Sequence, residues 1–169
     1  MSQGGFVSMR AALRAPDQVR GLVLIDTQAG LEDPEVMPLY QGLHDEWVAS
    51  GPANVQELVA SLIFGSGIDV EPWYAKWAAL DRTTFTIPFN TLVERDELTD
   101  RLGEITQPTL IVHGTADAAI PIWRAEQLRD GIPDTRGLVL VEGAGHASNM
   151  SQPDLVNAAI ASFVRDLDA

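Results

Sequence analysis

Three short runs of apolar residues stand out along the chain. Each is rich in β-branched side chains and is bounded by glycine, proline or aspartate. Apolar and polar residues do not alternate within these runs, which is typical of strands that are buried on both faces of a parallel sheet. The pattern therefore predicts three parallel strands, over residues 21–26, 109–113 and 137–141.

Helical patterns surround these strands. A helix of mainly small residues is predicted over 6–15, where Pro16 ends it, and another over 123–130. A stripe of apolar residues at helical spacing after Ser151 predicts the last helix. The order of helix, strand, long insert, strand, helix, strand and helix indicates an α/β fold with a doubly wound, parallel half-sheet.

The insert between the first two predicted strands is too long for a structureless connection and predicts a small helical cap. The predicted division is a core of residues 1–27 and 108–169 with a cap of residues 28–107. The insert is rich in aromatic side chains, which either hold the cap helices together or line an apolar pocket over a site. The candidates for the pocket wall are Trp47, Phe64, Trp73, Trp77 and Phe89.

Composition narrows the choice of partners and compartment. The 169-residue chain has a net charge of −13, which disfavours nucleic acid and anionic membranes, because binding to either needs clustered lysine and arginine. No apolar run approaches the roughly 20 residues of a membrane span, and no secretory signal is visible, so we expect a cytoplasmic protein. The absence of cysteine excludes a cysteine nucleophile. The three histidines lack metal-ligand spacing, so we expect no metal and no cofactor.

A serine, an aspartate and a histidine occupy positions suited to nucleophilic catalysis. Residues 1–4 read as the last four positions of a G-x-S-x-G turn, with Ser2 as the serine. Asp117 and His146 each follow a predicted strand, at the edge where open α/β sheets bind ligands. We predict that Ser2 attacks an acyl carbonyl, that His146 transfers its proton and that Asp117 orients the imidazole. A surface serine and a turn-capping aspartate are the alternative interpretations.

These motifs and their order resemble the α/β-hydrolase family. Residues 15–27 look like the end of its elbow helix and its sixth strand, residues 108–121 like its seventh strand and acid loop, and residues 143–153 like its histidine loop. Within the family the chain is most similar to cap-bearing esterases, 3-oxoadipate enol-lactonases and cofactor-free haloperoxidases. The resemblance implies hydrolysis of small carboxylic esters or lactones through an acyl-serine intermediate, with the Gln3 N–H as an oxyanion donor.

The chain also departs from the family pattern, because the strands and the HG-type loop that come before the family's nucleophile do not precede Ser2. We expect Met1 to be an internal methionine taken as a start, and a missing oxyanion donor to lower the rate by about 10²–10³-fold. The strand over residues 21–27 would then be an open sheet edge, which predicts a homodimer or higher oligomer. The alternative function is a catalytically inactive, self-associating fragment or a ligand-binding module.

Overall fold

The structure, a computed structural model, describes residues 1–168 and is built around a parallel sheet. Within these residues the sheet has three strands in the order β1-β2-β3. They are β1 (Leu22–Ile25), β2 (Thr109–Gly114) and β3 (Thr135–Val141). Leu24 pairs with Ile111, which pairs in turn with Leu138. This arrangement confirms the predicted fold class, although β3 begins at Thr135, before its predicted start at Gly137.

Helices flank the sheet and fill the insert between β1 and β2. The α-helices are α1 (Gln3–Arg14), α2 (Met37–Ser50), α3 (Gln56–Phe64), α4 (Glu71–Ala79), α5 (Thr86–Val93), α6 (Ile122–Gly131), α7 (Ser148–Ser151) and α8 (Pro153–Asp168). Short 3₁₀ helices span Pro16–Gln18, Pro52–Asn54, Arg82–Phe85 and Thr99–Glu104. Within residues 1–168, none of these helices combines the length and the apolar character that crossing a membrane requires.

The two faces of the sheet are covered by different helices. On one face Leu22, Leu24 and Ile111 are buried in a cluster with side chains of α1 and α6. On the other face Leu110 and Val112 are buried against side chains of α8. Successive residues of a strand point to opposite faces, so a sheet covered on both sides needs apolar residues at every position. This burial explains the continuous apolar runs of β1 and β2. The prediction of burial on both faces is wrong for most of β3, where Val141 is buried but Leu140 is exposed, because β3 lies at the other edge of the described sheet.

Strand β1 lies at one edge of the sheet, as predicted. It pairs with β2, and it has no second strand partner among residues 1–168. The segment that leads into α1 runs beside this edge, where Ser2 N–H donates a hydrogen bond to Ile25 O at 2.9 Å. The edge strand therefore holds the residue that the sequence marks as a nucleophile.

The insert between β1 and β2 carries α2 to α5, which we call the cap helices, and its last part packs against the sheet. Leu98, Leu102 and Ile105 are buried in the same cluster as the sheet residues and α6. The sequence division assigns these residues to the cap of 28–107. The end of the insert thus packs with the core, because these side chains lie on the face of the sheet that α1 and α6 cover.

Candidate active site

Ser2 lies on a strained turn that runs beside the end of β1 and leads into α1. Its backbone has φ 48° and ψ −123°, and so positive a φ is uncommon for a residue with a Cβ. Thr27 Oγ1 donates to Ser2 O at 2.8 Å, and Gly5 N–H donates to the same oxygen at 2.7 Å. With the bond from Ser2 N–H to Ile25 O, these contacts fix the turn. The Ser2 hydroxyl stands at the N-terminus of α1, where the helix dipole favours negative charge.

Gly5 allows α1 to approach the end of β1 closely. A Cβ at this position would lie 2.3 Å from Thr27 Oγ1 and 2.6 Å from Thr27 Cβ, well inside van der Waals contact. The neighbouring Gly4 would meet no atom within 4 Å. Gly5, and not Gly4, is therefore the glycine that allows the start of α1 to pack beside Thr27.

Asp117 lies in the loop that follows β2, and this loop fixes its carboxylate. The Oδ1 atom accepts hydrogen bonds from the backbone N–H groups of Ala119 at 2.8 Å and Ile120 at 2.9 Å. The side chain is 1% exposed. One oxygen thus holds the turn, as the alternative interpretation of Asp117 expects, and the other oxygen remains available to a second partner.

That second partner is His146, in the loop after β3. Asp117 Oδ2 lies 2.8 Å from His146 Nδ1, and His146 Nε2 lies 2.8 Å from Ser2 Oγ. Because a carboxylate only accepts hydrogen bonds, Nδ1 carries the proton and Nε2 is left to accept from the serine hydroxyl. The structure therefore brings together the three side chains that the sequence singles out, in the order hydroxyl, imidazole and carboxylate.

A fourth side chain, Asp26, joins the two loops that carry Asp117 and His146. It directly follows β1 and is fully buried. Its Oδ1 accepts from Gly114 N–H at 2.9 Å, and its Oδ2 accepts from Ser148 N–H at 2.9 Å and Ser148 Oγ at 2.7 Å. Burial raises the pKa of Asp26, and these hydrogen bonds oppose that rise. Asp26 ends a predicted buried strand, at the edge where open α/β sheets bind ligands, and this position could have marked it as part of the site.

His113, at the end of β2, completes a buried polar cluster. Its Nε2 lies 2.9 Å from Ile120 O, to which it donates, and its Nδ1 lies 3.9 Å from Asp26 Oδ1. Asp26, His113 and Asp117 bring ligand-type atoms within 4.8 Å of one another. All four carboxylate oxygens already accept hydrogen bonds from the protein, so the cluster is explained as a support for the loops.

Gln3 contacts the site through its backbone and the cap through its side chain. Its N–H is at the first turn of α1 and has no hydrogen-bond acceptor among residues 1–168. Its side-chain Nε2 donates to Pro88 O of α5 at 3.0 Å. The sequence predicts this N–H as an oxyanion donor, and in the structure the group is unused and next to Ser2.

An apolar cavity of about 200 Å³ opens between Ser2 and the cap. Both Ser2 and His146 line it. Most of its other walls are aliphatic or aromatic side chains, among them Phe6, Leu43, Val59, Leu62, Ile63, Phe85, Phe89, Leu92 and Ile120. Ser2 and His146 therefore lie in the wall of a mainly apolar space between the sheet edge and α2, α3 and α5.

Of the five aromatic residues expected in the pocket wall, Phe89 lines this cavity. The other four lie in an aromatic cluster that holds the cap helices together. Trp47 lies 5.6 Å from Trp77 between ring centroids, and Phe64 lies 5.3 Å from Trp73. Helical spacing identifies residues on one side of a helix, but it does not tell whether that side faces a cavity or another helix. The cavity wall is mainly aliphatic because the large rings pack against each other.

The cavity wall also includes two polar side chains that our sequence analysis did not identify. Glu32 follows β1, and Tyr40 lies in the first turns of α2. Glu32 forms a buried ion pair with Arg95, with 2.9 Å between Oε1 and Nη2. No local sequence pattern predicts this pair, because 63 positions separate its members.

The chain matches known sequences over most of its length. A sequence model of the Alpha/beta hydrolase family matches residues 1–159. Over 168 residues the chain is 27% identical to the pimeloyl-(acyl-carrier protein) methyl ester esterase of Nitrosomonas europaea, which covers 90% of this chain and 65% of that protein.

Solved structures agree with the fold described above. A thermophilic esterase from Thermogutta terrifontis superimposes with a TM-score of 0.84 at 25% identity, over 100% of this chain and 64% of that one. The enol-lactonase from Burkholderia xenovorans LB400 shares the fold, with a TM-score of 0.82 at 21% identity, over 98% of this chain and 64% of that one. The chain thus spans 64% or 65% of the length of these three proteins.

Proposed function

This chain belongs to the alpha/beta hydrolase family, and we propose that it is an enzyme that hydrolyses small carboxylic esters or lactones through an acyl-serine intermediate. The observation that carries the proposal is the unbroken chain of contacts from Ser2 to Asp117, with both imidazole nitrogens of His146 at 2.8 Å from their partners. A serine hydroxyl with a base in hydrogen-bond reach, and a carboxylate behind that base, is the arrangement that acyl transfer needs.

In the first half of the reaction Ser2 Oγ forms a bond to the carbonyl carbon of the ester. The hydroxyl proton passes to His146 Nε2, and the carbonyl oxygen becomes an oxyanion. When the tetrahedral intermediate collapses, the bond from carbon to the leaving oxygen breaks, and His146 gives its proton to that oxygen. Asp117 stabilises the imidazolium that exists between these two transfers.

In the second half a water molecule attacks the acyl-serine. His146 Nε2 takes one proton from the water, and the new tetrahedral intermediate carries its negative charge on the same oxygen as before. Collapse breaks the bond between carbon and Ser2 Oγ, which recovers its proton from His146. The products are a carboxylic acid and the alcohol, or a single hydroxy acid when the substrate is a lactone.

Negative charge on the carbonyl oxygen needs a donor at that position in both halves. The Gln3 N–H is such a donor, because it has no acceptor among residues 1–168 and follows the nucleophile directly. The positive end of the α1 dipole acts at the same place. The strain at Ser2 is compatible with this role, since it keeps the hydroxyl and the following N–H directed to one side of the turn.

A fluorophosphonate probe tests the proposal, because it reacts with activated serines and leaves unactivated ones unmodified. We expect stoichiometric labelling at Ser2, together with hydrolysis of p-nitrophenyl esters. Ser2→Ala and His146→Ala should abolish both. Ser8→Ala is the matched control, because Ser8 lies in α1, the helix that follows Ser2, and its hydroxyl only donates to Gly4 O at 2.7 Å. A folded wild-type chain that neither reacts with the probe nor hydrolyses any ester contradicts the proposal.

We also propose that copies of this chain associate through the free edge of β1. The argument is that an edge strand offers unpaired backbone groups to a second strand, and residues 1–168 contain no other strand that pairs with this edge. Two edges related by a two-fold axis would form one continuous sheet. Size-exclusion chromatography with light scattering tests this, and a monodisperse monomer at all concentrations would exclude it.

A further inference from the structure

The apolar cavity above Ser2 contains one carboxylate, and that carboxylate is only partly satisfied by the protein. The Glu32 side chain is 7% exposed and lines the cavity. Its Oε1 accepts from Gln28 Nε2 at 2.8 Å and from Arg95 Nη2 at 2.9 Å. Its Oε2 has no hydrogen-bond partner within residues 1–168. The oxygen is not fully enclosed by the protein, and Glu32 lines the cavity, so Oε2 is open to a hydrogen-bond donor that a ligand brings into this mainly apolar space.

The charge of Glu32 is already balanced, which limits what that donor can be. Arg95 is 4% exposed, and its guanidinium also stacks over the Phe6 ring at 4.1 Å and donates to Gly30 O at 2.6 Å. The ion pair is therefore fixed in place and close to neutral. Bringing an ammonium group into this cavity would add an unbalanced buried charge, whereas a neutral hydroxyl would add none.

Tyr40 supplies a donor in the same cavity. Burial, together with the nearby carboxylates of Glu32 and Asp117, raises the pKa of Tyr40 to about 12. The phenol is therefore protonated at neutral pH, and its hydroxyl has no hydrogen-bond partner among the described residues 1–168. A hydroxyl group is both a donor and an acceptor, so it can satisfy an acceptor and a donor in one pocket.

We propose that Glu32 and Tyr40 are specificity-determining residues that select ester or lactone substrates bearing a hydroxyl group on an otherwise apolar chain. The substrate hydroxyl donates to Glu32 Oε2 and accepts from the Tyr40 hydroxyl, while the apolar chain lies against the aliphatic walls. A substrate that bears a second carboxylate is rejected, because that group would meet Glu32 Oε2 without water between them. This inference rests on the proposed esterase function for its substrate class.

Three p-nitrophenyl esters of equal chain length test the proposal. Their acyl chains end in a methyl group, in a hydroxyl group or in a carboxylate, and a fourth ester ending in an amine serves as the charged donor. For the wild-type chain we expect kcat/KM to be highest for the hydroxyl ester and lowest for the carboxylate ester. A higher kcat/KM for the amine ester than for the hydroxyl ester would overturn the choice of a neutral donor.

Glu32→Gln is the informative variant. Its amide oxygen can still accept from Gln28 and Arg95, so its NH₂ group takes the place of Oε2 and turns an acceptor into a donor. We expect the preference for the hydroxyl ester over the methyl ester to fall about 10- to 100-fold, the size of a lost hydrogen bond to a charged group. The preference against the carboxylate ester should fall by a similar factor. Glu35→Gln is the control, because Glu35 is exposed on the same segment.

Tyr40→Phe provides a second variant that keeps the Glu32–Arg95 ion pair intact. It removes the donor hydroxyl and leaves the ring, so it tests the pocket even if Glu32→Gln folds poorly. We expect a fall of about 3- to 10-fold in the preference for the hydroxyl ester, with the methyl ester little changed. Unaltered preferences in a folded Glu32→Gln or Tyr40→Phe chain would overturn the proposal.

Binding separates this inference from the proposed hydrolysis. The Ser2→Ala chain should bind the intact esters without turnover, so calorimetry measures their affinities directly. The hydroxyl ester should bind more tightly than the methyl ester, and adding Glu32→Gln should remove the difference. If the wild-type chain hydrolyses no ester but this pattern of affinities holds, the proposed function fails and the assignment of the pocket stands. If the wild-type chain hydrolyses esters but the affinities do not differ, the proposed function stands and the assignment of Glu32 and Tyr40 fails.

Discussion

The carboxylate of Asp26 accepts two hydrogen bonds from Ser148, one from its backbone N–H at 2.9 Å and one from its hydroxyl at 2.7 Å. Its other oxygen accepts from Gly114 N–H. Gly114 ends β2 and precedes the Asp117 loop, and Ser148 lies just beyond His146. The buried carboxylate of Asp26, which directly follows β1, thus links the loop after β2 to the loop after β3. This link holds Asp117 and His146 close enough for their hydrogen bond.

Ser148→Ala should lower the free energy of unfolding by about 1.5–3 kcal/mol, because it removes a buried hydrogen bond to a carboxylate. Denaturant unfolding measures the change. Ser151→Ala is the control, since the Ser151 hydroxyl makes only a 3.3 Å contact to Ser148 O. Equal effects of the two substitutions would contradict the role assigned to Asp26.

Asp26→Asn should destabilise the chain most at acid pH. Burial raises the pKa of Asp26 above its ordinary value of 3.8, so between that value and the raised one the folded state binds more protons than the unfolded state. The contribution of Asp26 to stability is therefore full below 3.8 and falls as the pH rises through the raised pKa. Asparagine does not titrate, so the loss caused by Asp26→Asn should shrink with rising pH. Urea unfolding of both chains across this range measures it, and a loss that grows with pH would refute the assignment.

Gly5→Ala and Gly4→Ala should have opposite effects. The added methyl group at position 5 would overlap the Thr27 side chain, so we expect a loss of about 1–3 kcal/mol and weaker probe labelling of Ser2. At position 4 the methyl group meets open space on a helix, where alanine is favoured over glycine by about 1 kcal/mol. Thermal unfolding of the two variants checks this, and a neutral Gly5→Ala would exclude the close contact.

Asp117→Asn should lower kcat for ester hydrolysis by about 10⁴-fold while leaving the chain folded. The asparagine oxygen can still accept from Ala119 and Ile120, which preserves the loop. Its NH₂ group would then donate to His146 Nδ1, which puts the ring proton on Nε2 and leaves Ser2 without a base. Steady-state kinetics together with a denaturation curve separate the two effects. Unchanged kcat in a folded variant would remove Asp117 from the mechanism.

Phe89→Ala and Trp73→Ala should differ in their effect on substrate binding. Phe89 lines the cavity, so its removal should raise KM for apolar esters by about 10-fold through lost apolar contact. Trp73 packs on Phe64 within the cap and does not line the cavity, so its removal should lower cap stability and leave KM nearly unchanged. A raised KM for Trp73→Ala with an unchanged KM for Phe89→Ala would instead place Trp73 in the pocket wall.

The sheet could be predicted because burial on both faces leaves a direct mark on the sequence. Residues 22–25 and 110–112 are uninterrupted apolar runs, and the strands predicted around them, over 21–26 and 109–113, overlap β1 and β2 closely. Strand β3 begins earlier than predicted because its first two residues are polar: Thr135 is half-buried and Arg136 is exposed, so neither adds to the apolar run. Patterns of burial predict buried strands better than half-exposed strand ends.

The site was only partly predictable, and the reason lies in sequence separation. Ser2, Asp117 and His146 stand in local motifs, each next to a predicted strand or turn. Asp26 ends a predicted strand and Glu32 lies in no motif, and for both the partners that define their roles are about 60 to 120 positions away. What these two carboxylates do depends on which loops the fold brings beside them.

Gln3 touches both parts of the molecule at once. Its backbone N–H, next to the nucleophile, has no acceptor within residues 1–168, and its side-chain Nε2 donates to Pro88 O in α5. Any movement of α5 away from Ser2 therefore breaks a hydrogen bond made by the residue next to the nucleophile. The position of α5 is thus coupled, through this one hydrogen bond, to the backbone that carries the nucleophile.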